Sequence, residues 1–101
     1  MRTVMVRYKV KPDRVAENKA YIEKVFEELA ERRPTGFRYG SFTLGDGVSF
    51  VHVVFEESTE GASLADIAAF QAFTADIGDR CDEPPVATEL TPVGIYRLLD
   101  G

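Results

Sequence analysis

Residues 37–55, FRYGSFTLGDGVSFVHVVF, have the pattern of a β-hairpin. The runs from Phe37 to Leu44 and from Val48 to Phe55 are rich in aromatic and β-branched residues, which favour strands. Gly45-Asp46-Gly47 separates the two runs, and its glycines can supply the positive φ angles that a tight turn requires. We therefore predict two strands joined by a three-residue turn.

The segments on either side of the hairpin predict a strand and two helices. Apolar and polar residues alternate from Thr3 to Val10, which is the period of a strand. Asp13 stands where it could cap a helix, and apolar residues then recur at helical spacing to about Arg33. After the hairpin, Ser63 and Asp66 have the spacing of a capping box, which predicts that a second helix begins there.

The last part of the chain completes the predicted order. Residues 82–85, DEPP, predict a stiff acidic loop, and a strand is predicted from Thr88 to Leu99 with Pro92 interrupting it at a sheet edge. The order is then β-α-β-β-α-β. With right-handed crossovers this is the ferredoxin-like arrangement of the α+β class, a four-stranded antiparallel sheet with both helices on one face.

The third predicted strand is apolar on both of its faces. Val51, Val53 and Phe55 share one face, whereas Phe50 and Val54 lie on the other. A sheet with one wet face alternates more cleanly, and a soluble monomer rarely exposes a large apolar patch. We expect a second copy to cover the sheet face that the helices leave open, so that the protein is a homodimer.

Length and charge exclude several classes of protein. The 101 residues suffice for one domain, residues 1–101. A net charge of −5 without a basic cluster argues against partners such as nucleic acid or an anionic membrane. The single Cys81 cannot form an intramolecular disulfide, and the N-terminus lacks the apolar run of a signal peptide or membrane span. We therefore expect a cytoplasmic protein.

Three segments resemble a known superfamily: Val10-Lys11-Pro12-Asp13, residues 34–39 (PTGFRY) and residues 50–56 (FVHVVFE). Together they resemble the dimeric α/β-barrel superfamily and, within it, the antibiotic-biosynthesis-monooxygenase-like domains. The resemblance implies two sheets paired into a barrel, with a small-molecule cavity in each subunit. It also implies activities that range from cofactor-free oxygenation of aromatic polyketides to haem degradation and lactone isomerisation. The chain has no tryptophan, which departs from the haem-degrading members and from several of the quinone-forming oxygenases, both of which place one in the cavity.

Two residues are the candidates for catalysis. His52 is the only histidine and lies mid-strand among apolar residues, where a polar group needs a partner or a cavity. It is a candidate general base or substrate partner; the alternative is a hydrogen-bonded residue at the dimer seam. Arg7 needs an acidic partner or an anionic ligand, although it could instead reach the sheet end and pair with a glutamate.

The predicted site combines these two residues with two others. We expect strands one and three to be adjacent and parallel, which would bring Arg7 and His52 together beside one pocket. Tyr39 and Asn18 would supply hydrogen bonds to a substrate. The alternative for Tyr39 is an ordinary core tyrosine, and Asn18 interrupts the apolar face of the first helix.

Two function classes stay open at this point. One is a monooxygenase-like enzyme without a cofactor, acting on a small hydrophobic or aromatic substrate; the other is a non-catalytic ligand-binding or dimeric interaction module. Convergence of His52 and Arg7 on one pocket would favour the enzyme. We expect no metal, because one histidine and one cysteine cannot form a structural zinc set, and no dinucleotide, because Gly45-Asp46-Gly47 opens no helix.

Overall fold

The computed structural model describes residues 2–57 and 63–98, which form one four-stranded sheet with helices packed on it. The strands are β1 (Arg2–Val10), β2 (Phe37–Thr43), β3 (Ser49–Glu56) and β4 (Cys81–Leu90). The helices are α1 (Val15–Arg32), α2 (Ala68–Ala75) and the single turn α3 (Ile77–Arg80). The strand order is β2-β3-β1-β4, and every neighbouring pair is antiparallel. The predicted ferredoxin-like order is confirmed.

The relative direction of β1 and β3 corrects one prediction. The two strands are adjacent, as expected, but they run antiparallel. A β-α-β crossover gives β1 and β2 the same direction, and the hairpin then reverses β3. Val6 lies opposite His52, and Arg7 lies opposite Val51. Because directly opposed residues share a face, His52 and Arg7 point to opposite faces of the sheet.

The core lies between the helices and one face of the sheet, which we call the helix face. Helices α1 and α2 both contribute to it, so the prediction that the two helices cover the same face is confirmed. The buried members of this core are Tyr8, Val10, Val25, Phe50, Leu64, Ile67 and Phe73. The other side of the sheet, which carries Arg7, Val51, Val53 and Phe55, we call the open face.

Asp46 holds the hairpin turn together. Its carboxylate accepts hydrogen bonds from the backbone N–H groups of Val48 (3.0 Å) and Ser49 (2.8 Å) and from the Ser49 hydroxyl (2.6 Å). These bonds lower the pKa of Asp46 to about 2. Only Gly47 of the two glycines has a positive φ, at 76°. The hairpin is confirmed, with a turn that depends on Asp46 as well as on glycine.

The start of the second helix agrees with the sequence pattern, whereas the start of the first does not. The Ser63 hydroxyl accepts from the N–H of Ala65, and the Asp66 carboxylate accepts from the N–H of Ser63, so the capping box is present. It opens a 3-10 turn, and α2 follows from Ala68. Asp13 caps no helix, because it lies in a separate 3-10 turn that Pro12 begins.

The end of the chain corrects the position of the last strand. The predicted acidic loop, residues 82–85, lies inside β4, which ends at Leu90. Prolines are tolerated there because β4 is an edge strand, with a register irregularity opposite Lys9. Pro92 lies beyond the strand, and Leu99, the predicted last residue of the strand, lies outside the described residues. Among residues 2–57 and 63–98, none of the helices has the length and apolar character needed to cross a bilayer.

Candidate functional site

His52 lies in the core, held between two tyrosine hydroxyls. The Oη atom of Tyr8 is 2.7 Å from Nε2 of His52, and the Oη atom of Tyr39 is 2.5 Å from Nδ1. His52 is only 4% exposed, and this burial lowers its pKa to about 4. The imidazole is therefore neutral at neutral pH, with one ring nitrogen as donor and the other as acceptor.

The hydrogen bonds continue from Tyr8 to two fully buried side chains. Nδ2 of Asn18 donates to the Tyr8 hydroxyl at 3.0 Å, and Nε of Arg80 donates to Oδ1 of Asn18 at 3.3 Å. Nη2 of Arg80 also donates to the carbonyl of Phe73 at 2.7 Å. We call the series Arg80, Asn18, Tyr8, His52 and Tyr39 the polar chain. Three of the four predicted site residues belong to it.

The sheet register explains why the polar chain forms. His52 lies opposite Val6 on β1 and Ser41 on β2, so its side chain shares the helix face with Tyr8 and Tyr39, each two residues from those partners. Asn18 lies on the buried side of α1. One residue from each of three adjacent strands and one from the covering helix therefore meet above the centre of the sheet.

Aromatic rings enclose the polar chain and make its surroundings apolar. The ring of Phe50 stacks on Tyr8 with centroids 5.4 Å apart, and the ring of Phe26 stacks on Tyr39 at 5.2 Å. Burial raises the pKa of both tyrosines above the ordinary value for a phenol. Both hydroxyls thus keep their protons at neutral pH and can act as hydrogen-bond donors.

Tyr39 also borders a cleft between α1 and β2. The cleft has a volume of about 360 Å³ and is lined by Phe26, Leu29, Ala30, Arg33, Pro34, Phe37 and Tyr39. This is within the size range of small-molecule sites. Of these described lining residues, all but Tyr39 and Arg33 are apolar. We call it the α1–β2 cleft; through Tyr39, the polar chain ends at its wall.

Arg7 does not join the other predicted residues, and the predicted convergence of Arg7 and His52 is wrong. Arg7 is exposed on the open face, beside a hollow of about 120 Å³ that Lys9, Glu83 and Val86 also line. The antiparallel register of β1 and β3 places it there. Asn18 is fully buried and lines neither this hollow nor the α1–β2 cleft; both ends of its amide are hydrogen-bonded, to Tyr8 and to Arg80.

A second and larger cavity lies on the open face. It has a volume of about 450 Å³ and lies between the sheet and the segment that follows β4. Its sheet-side residues include Thr3, Val53 and Phe55, and its other wall includes Pro92, Ile95 and Leu98. We call it the open-face cavity. Its described lining residues carry no charge, which suits an apolar ligand or an apolar partner surface.

Comparison with known proteins identifies the fold. No known family model matches the sequence, and no curated protein does. The structure, however, is similar to Rv0793 from Mycobacterium tuberculosis, with a TM-score of 0.73 and 19% identity over 93% of this chain and 96% of that one. It is also similar to an antibiotic biosynthesis monooxygenase, with a TM-score of 0.71 and 14% identity over 93% of this chain and all of that one. The chain has the antibiotic-biosynthesis-monooxygenase-like fold.

A third solved structure with a similar fold belongs to an oxygenase. SnoaB from Streptomyces nogalater, a cofactor-independent oxygenase, was solved as a variant and has a TM-score of 0.67 with 15% identity. The match covers 93% of this chain and 94% of SnoaB. At this identity the likeness concerns the fold, so the chemistry of this chain has to be argued from its own residues.

Sequence reasoning missed two members of the polar chain, Tyr8 and Arg80. Tyr8 alternates with Val6 and Val10 in β1, so its place on the helix face could be predicted, but its partner could not. Arg80 follows acidic residues near a helix end, a pattern typical of solvated surface. Within the described part of the chain, no group of three His, Cys, Asp or Glu side chains could hold a metal ion.

Proposed function

We propose that the protein is a cofactor-independent, monooxygenase-like enzyme that binds a small hydrophobic or aromatic substrate in the α1–β2 cleft. The observation that carries this proposal is the hydrogen bond between buried His52 and the hydroxyl of Tyr39, a residue that lines the cleft. His52 is a buried neighbour of the site and does not line the cleft. His52 fixes the position of the Tyr39 hydroxyl through this hydrogen bond, and Tyr39 contacts the substrate.

Tyr39 can stabilise negative charge on a substrate oxygen. Its hydroxyl, donating to a substrate carbonyl, would strengthen that hydrogen bond as the substrate loses a proton and becomes an enolate. The apolar walls of Phe26 and Phe37 increase the effect, because water competes less for the oxygen. The guanidinium of Arg33 is a second group at the cleft that could attract an anionic substrate oxygen.

The reaction that fits such a site is the oxidation of an activated CH₂ group by dioxygen. The CH₂ carbon loses a proton to water, and the resulting carbanion is delocalised onto the oxygen that Tyr39 contacts. The carbanion transfers its electrons to O₂, a C–O bond forms, and the peroxide takes up a proton. Loss of water then gives a ketone, so that CH₂ and O₂ yield C=O and H₂O. The carbon is oxidised by four electrons and O₂ is reduced by four.

Dithranol, a tricyclic phenolic ketone with an activated CH₂ group, provides the test. We expect the protein to accelerate O₂ uptake above the rate in buffer, with one atom of ¹⁸O from ¹⁸O₂ in the new ketone. A rate equal to that of buffer across a series of such phenolic ketones would contradict the proposal.

A ligand-binding module is the second candidate, and two observations favour it. Arg7 and His52 lie on opposite faces, and the open-face cavity offers a volume of about 450 Å³ whose described lining residues include no titratable side chain. In this alternative the protein binds a small hydrophobic molecule on the open face and performs no chemistry. The location of a bound ligand separates the two candidates.

We also propose that the protein is a homodimer that pairs the open faces of two sheets. Phe42, which is 58% exposed, Val86 and Leu98 are apolar side chains left in contact with solvent in the single chain. A contact between open faces would bury them.

Sedimentation tests the dimer. We expect a species of about 22 kDa, twice the 11.2 kDa chain, at micromolar concentration. Val86→Glu, at an exposed position of the open face, should convert it into a monomer, while Lys24→Glu, at an exposed position of α1, should leave it dimeric. A wild-type protein that sediments only as the single chain would contradict the proposal.

A further inference from the structure

We propose that Arg80 and Asn18 are positioning residues that fix the tautomer of His52 through Tyr8. The tautomer they select carries its proton on Nδ1 and leaves the hydroxyl proton of Tyr39 free for a substrate oxygen. The part that concerns the substrate rests on the proposed function, whereas the tautomer itself does not.

The first step is the orientation of the Asn18 amide. A guanidinium has only donors, so the Asn18 atom that lies 3.3 Å from Nε of Arg80 is the amide oxygen. The amide nitrogen of Asn18 therefore faces Tyr8 and donates to its hydroxyl. The cation of Arg80 reinforces this orientation, because it attracts the negative end of the amide dipole.

The second step is the direction of the bond between Tyr8 and His52. Tyr8 is 2% exposed, and its oxygen already accepts from Asn18. If Nε2 of His52 carried a proton, it would also donate to Tyr8, and the phenol proton of Tyr8 would have no acceptor among residues 2–57 and 63–98. Either tautomer leaves one of the two tyrosine protons without an acceptor. An unpaired donor costs more at Tyr8, which is sealed in the core, than at Tyr39, which is half-buried and lines the α1–β2 cleft, so Tyr8 donates its proton to Nε2.

The third step leads to Tyr39. A neutral imidazole has one N–H group, and with Nε2 as acceptor that group is Nδ1–H. Nδ1 therefore donates to the hydroxyl oxygen of Tyr39. Among residues 2–57 and 63–98, no other side chain or backbone group is hydrogen-bonded to that hydroxyl. Its own proton is thus available to an oxygen atom in the α1–β2 cleft.

The environment of Arg80 supports a positioning role. Its side chain is completely buried, yet within the described residues it contacts no carboxylate, and its Nη1 has no hydrogen-bond partner. Its guanidinium lies 4.5 Å from the ring centroid of Tyr21. An aspartate at position 18 would neutralise this charge better than asparagine does. Asparagine, however, can accept from Arg80 and donate to Tyr8 at once, and an aspartate cannot.

The experiment uses the fact that His52 is the only histidine of the chain. In uniformly ¹⁵N-labelled protein at pH 7, without substrate, two-bond ¹H–¹⁵N correlation spectra show which ring nitrogen is protonated. We expect a protonated Nδ1 and an unprotonated Nε2. In Asn18→Asp the carboxylate accepts the proton of Tyr8, and Nε2–H of His52 then donates to the Tyr8 oxygen. We therefore expect the opposite pattern in this variant, with Nε2 protonated and Nδ1 unprotonated.

Two further variants separate positioning from folding. Arg80→Gln retains a donor for the oxygen of Asn18 and should keep the wild-type tautomer, whereas Arg80→Met removes that donor and should give signals of both tautomers. A wild-type His52 protonated on Nε2 overturns the proposal, and this result needs no variant. A folded Asn18→Asp variant whose His52 is still protonated on Nδ1 also overturns the proposal. Absence of oxygenase activity would refute the proposed function and leave the tautomer result unaffected.

Discussion

Tyr39→Phe is expected to lower the rate of substrate oxygenation by about 10²- to 10³-fold, the loss typical when one donor to a developing oxyanion is removed. The change deletes only the hydroxyl that His52 contacts and keeps the ring that stacks on Phe26. The effect should fall on kcat more than on KM, because the hydrogen bond strengthens as charge develops on the substrate. Initial rates of O₂ uptake with dithranol measure it.

Tyr21→Phe is the matched control for this variant. Tyr21 is half-buried like Tyr39 and lies on α1, but it does not line the α1–β2 cleft. Its rate should stay within about twofold of wild type, because the ring that lies beside Arg80 is retained. Equal rates for Tyr39→Phe and wild type would show that Tyr39 takes no part in the reaction.

Acidification from pH 7 to pH 5 is expected to destabilise the fold by about 2 kcal/mol through His52 alone. The ordinary histidine pKa of 6.5 is lowered to about 4 in the folded protein by burial. Well above pH 6.5 the imidazole is neutral in both the folded and the unfolded state and contributes nothing to the pH dependence. Below pH 6.5 the unfolded chain binds a proton that the folded chain does not bind until about pH 4, so stability falls as the pH falls.

Urea unfolding of wild type and His52→Gln at several pH values measures this contribution. Glutamine has no charge to gain, so the variant should show a flatter profile between pH 7 and pH 5. Asp46, whose pKa is lowered to about 2, loses its stabilising contribution only below its ordinary pKa near 4, outside this window. A wild-type profile as flat as that of the variant would contradict the burial of a neutral His52.

The sequence predicted correctly those elements that are stabilised by residues close to them in the chain. The hairpin was predictable because Asp46 and Gly47 lie within the turn that they stabilise. The capping box at Ser63 was predictable for the same reason. The acidic segment 82–85 was assigned to a loop because prolines disfavour strands, and only its position at the sheet edge makes a strand acceptable there.

The candidate site likewise depends partly on local sequence patterns and partly on contacts between distant residues. Alternation along each strand predicted which of its residues share a face, but whether Arg7 and His52 share a face depends on the register between β1 and β3, which no local pattern specifies. Arg80 reaches Asn18 across 62 positions of the chain, and nothing near it in sequence indicates a buried guanidinium.

Mapping the ligand by amide chemical shifts tests the central claim, that the α1–β2 cleft is the substrate site. ¹⁵N-labelled protein would be titrated with dithranol under argon, so that binding is observed without turnover. We predict the largest shift changes at the amides of Ala30, Arg33 and Tyr39, which line the cleft. Changes confined to Thr3, Val53 and other residues of the open-face cavity would contradict the claim and support the ligand-binding module instead.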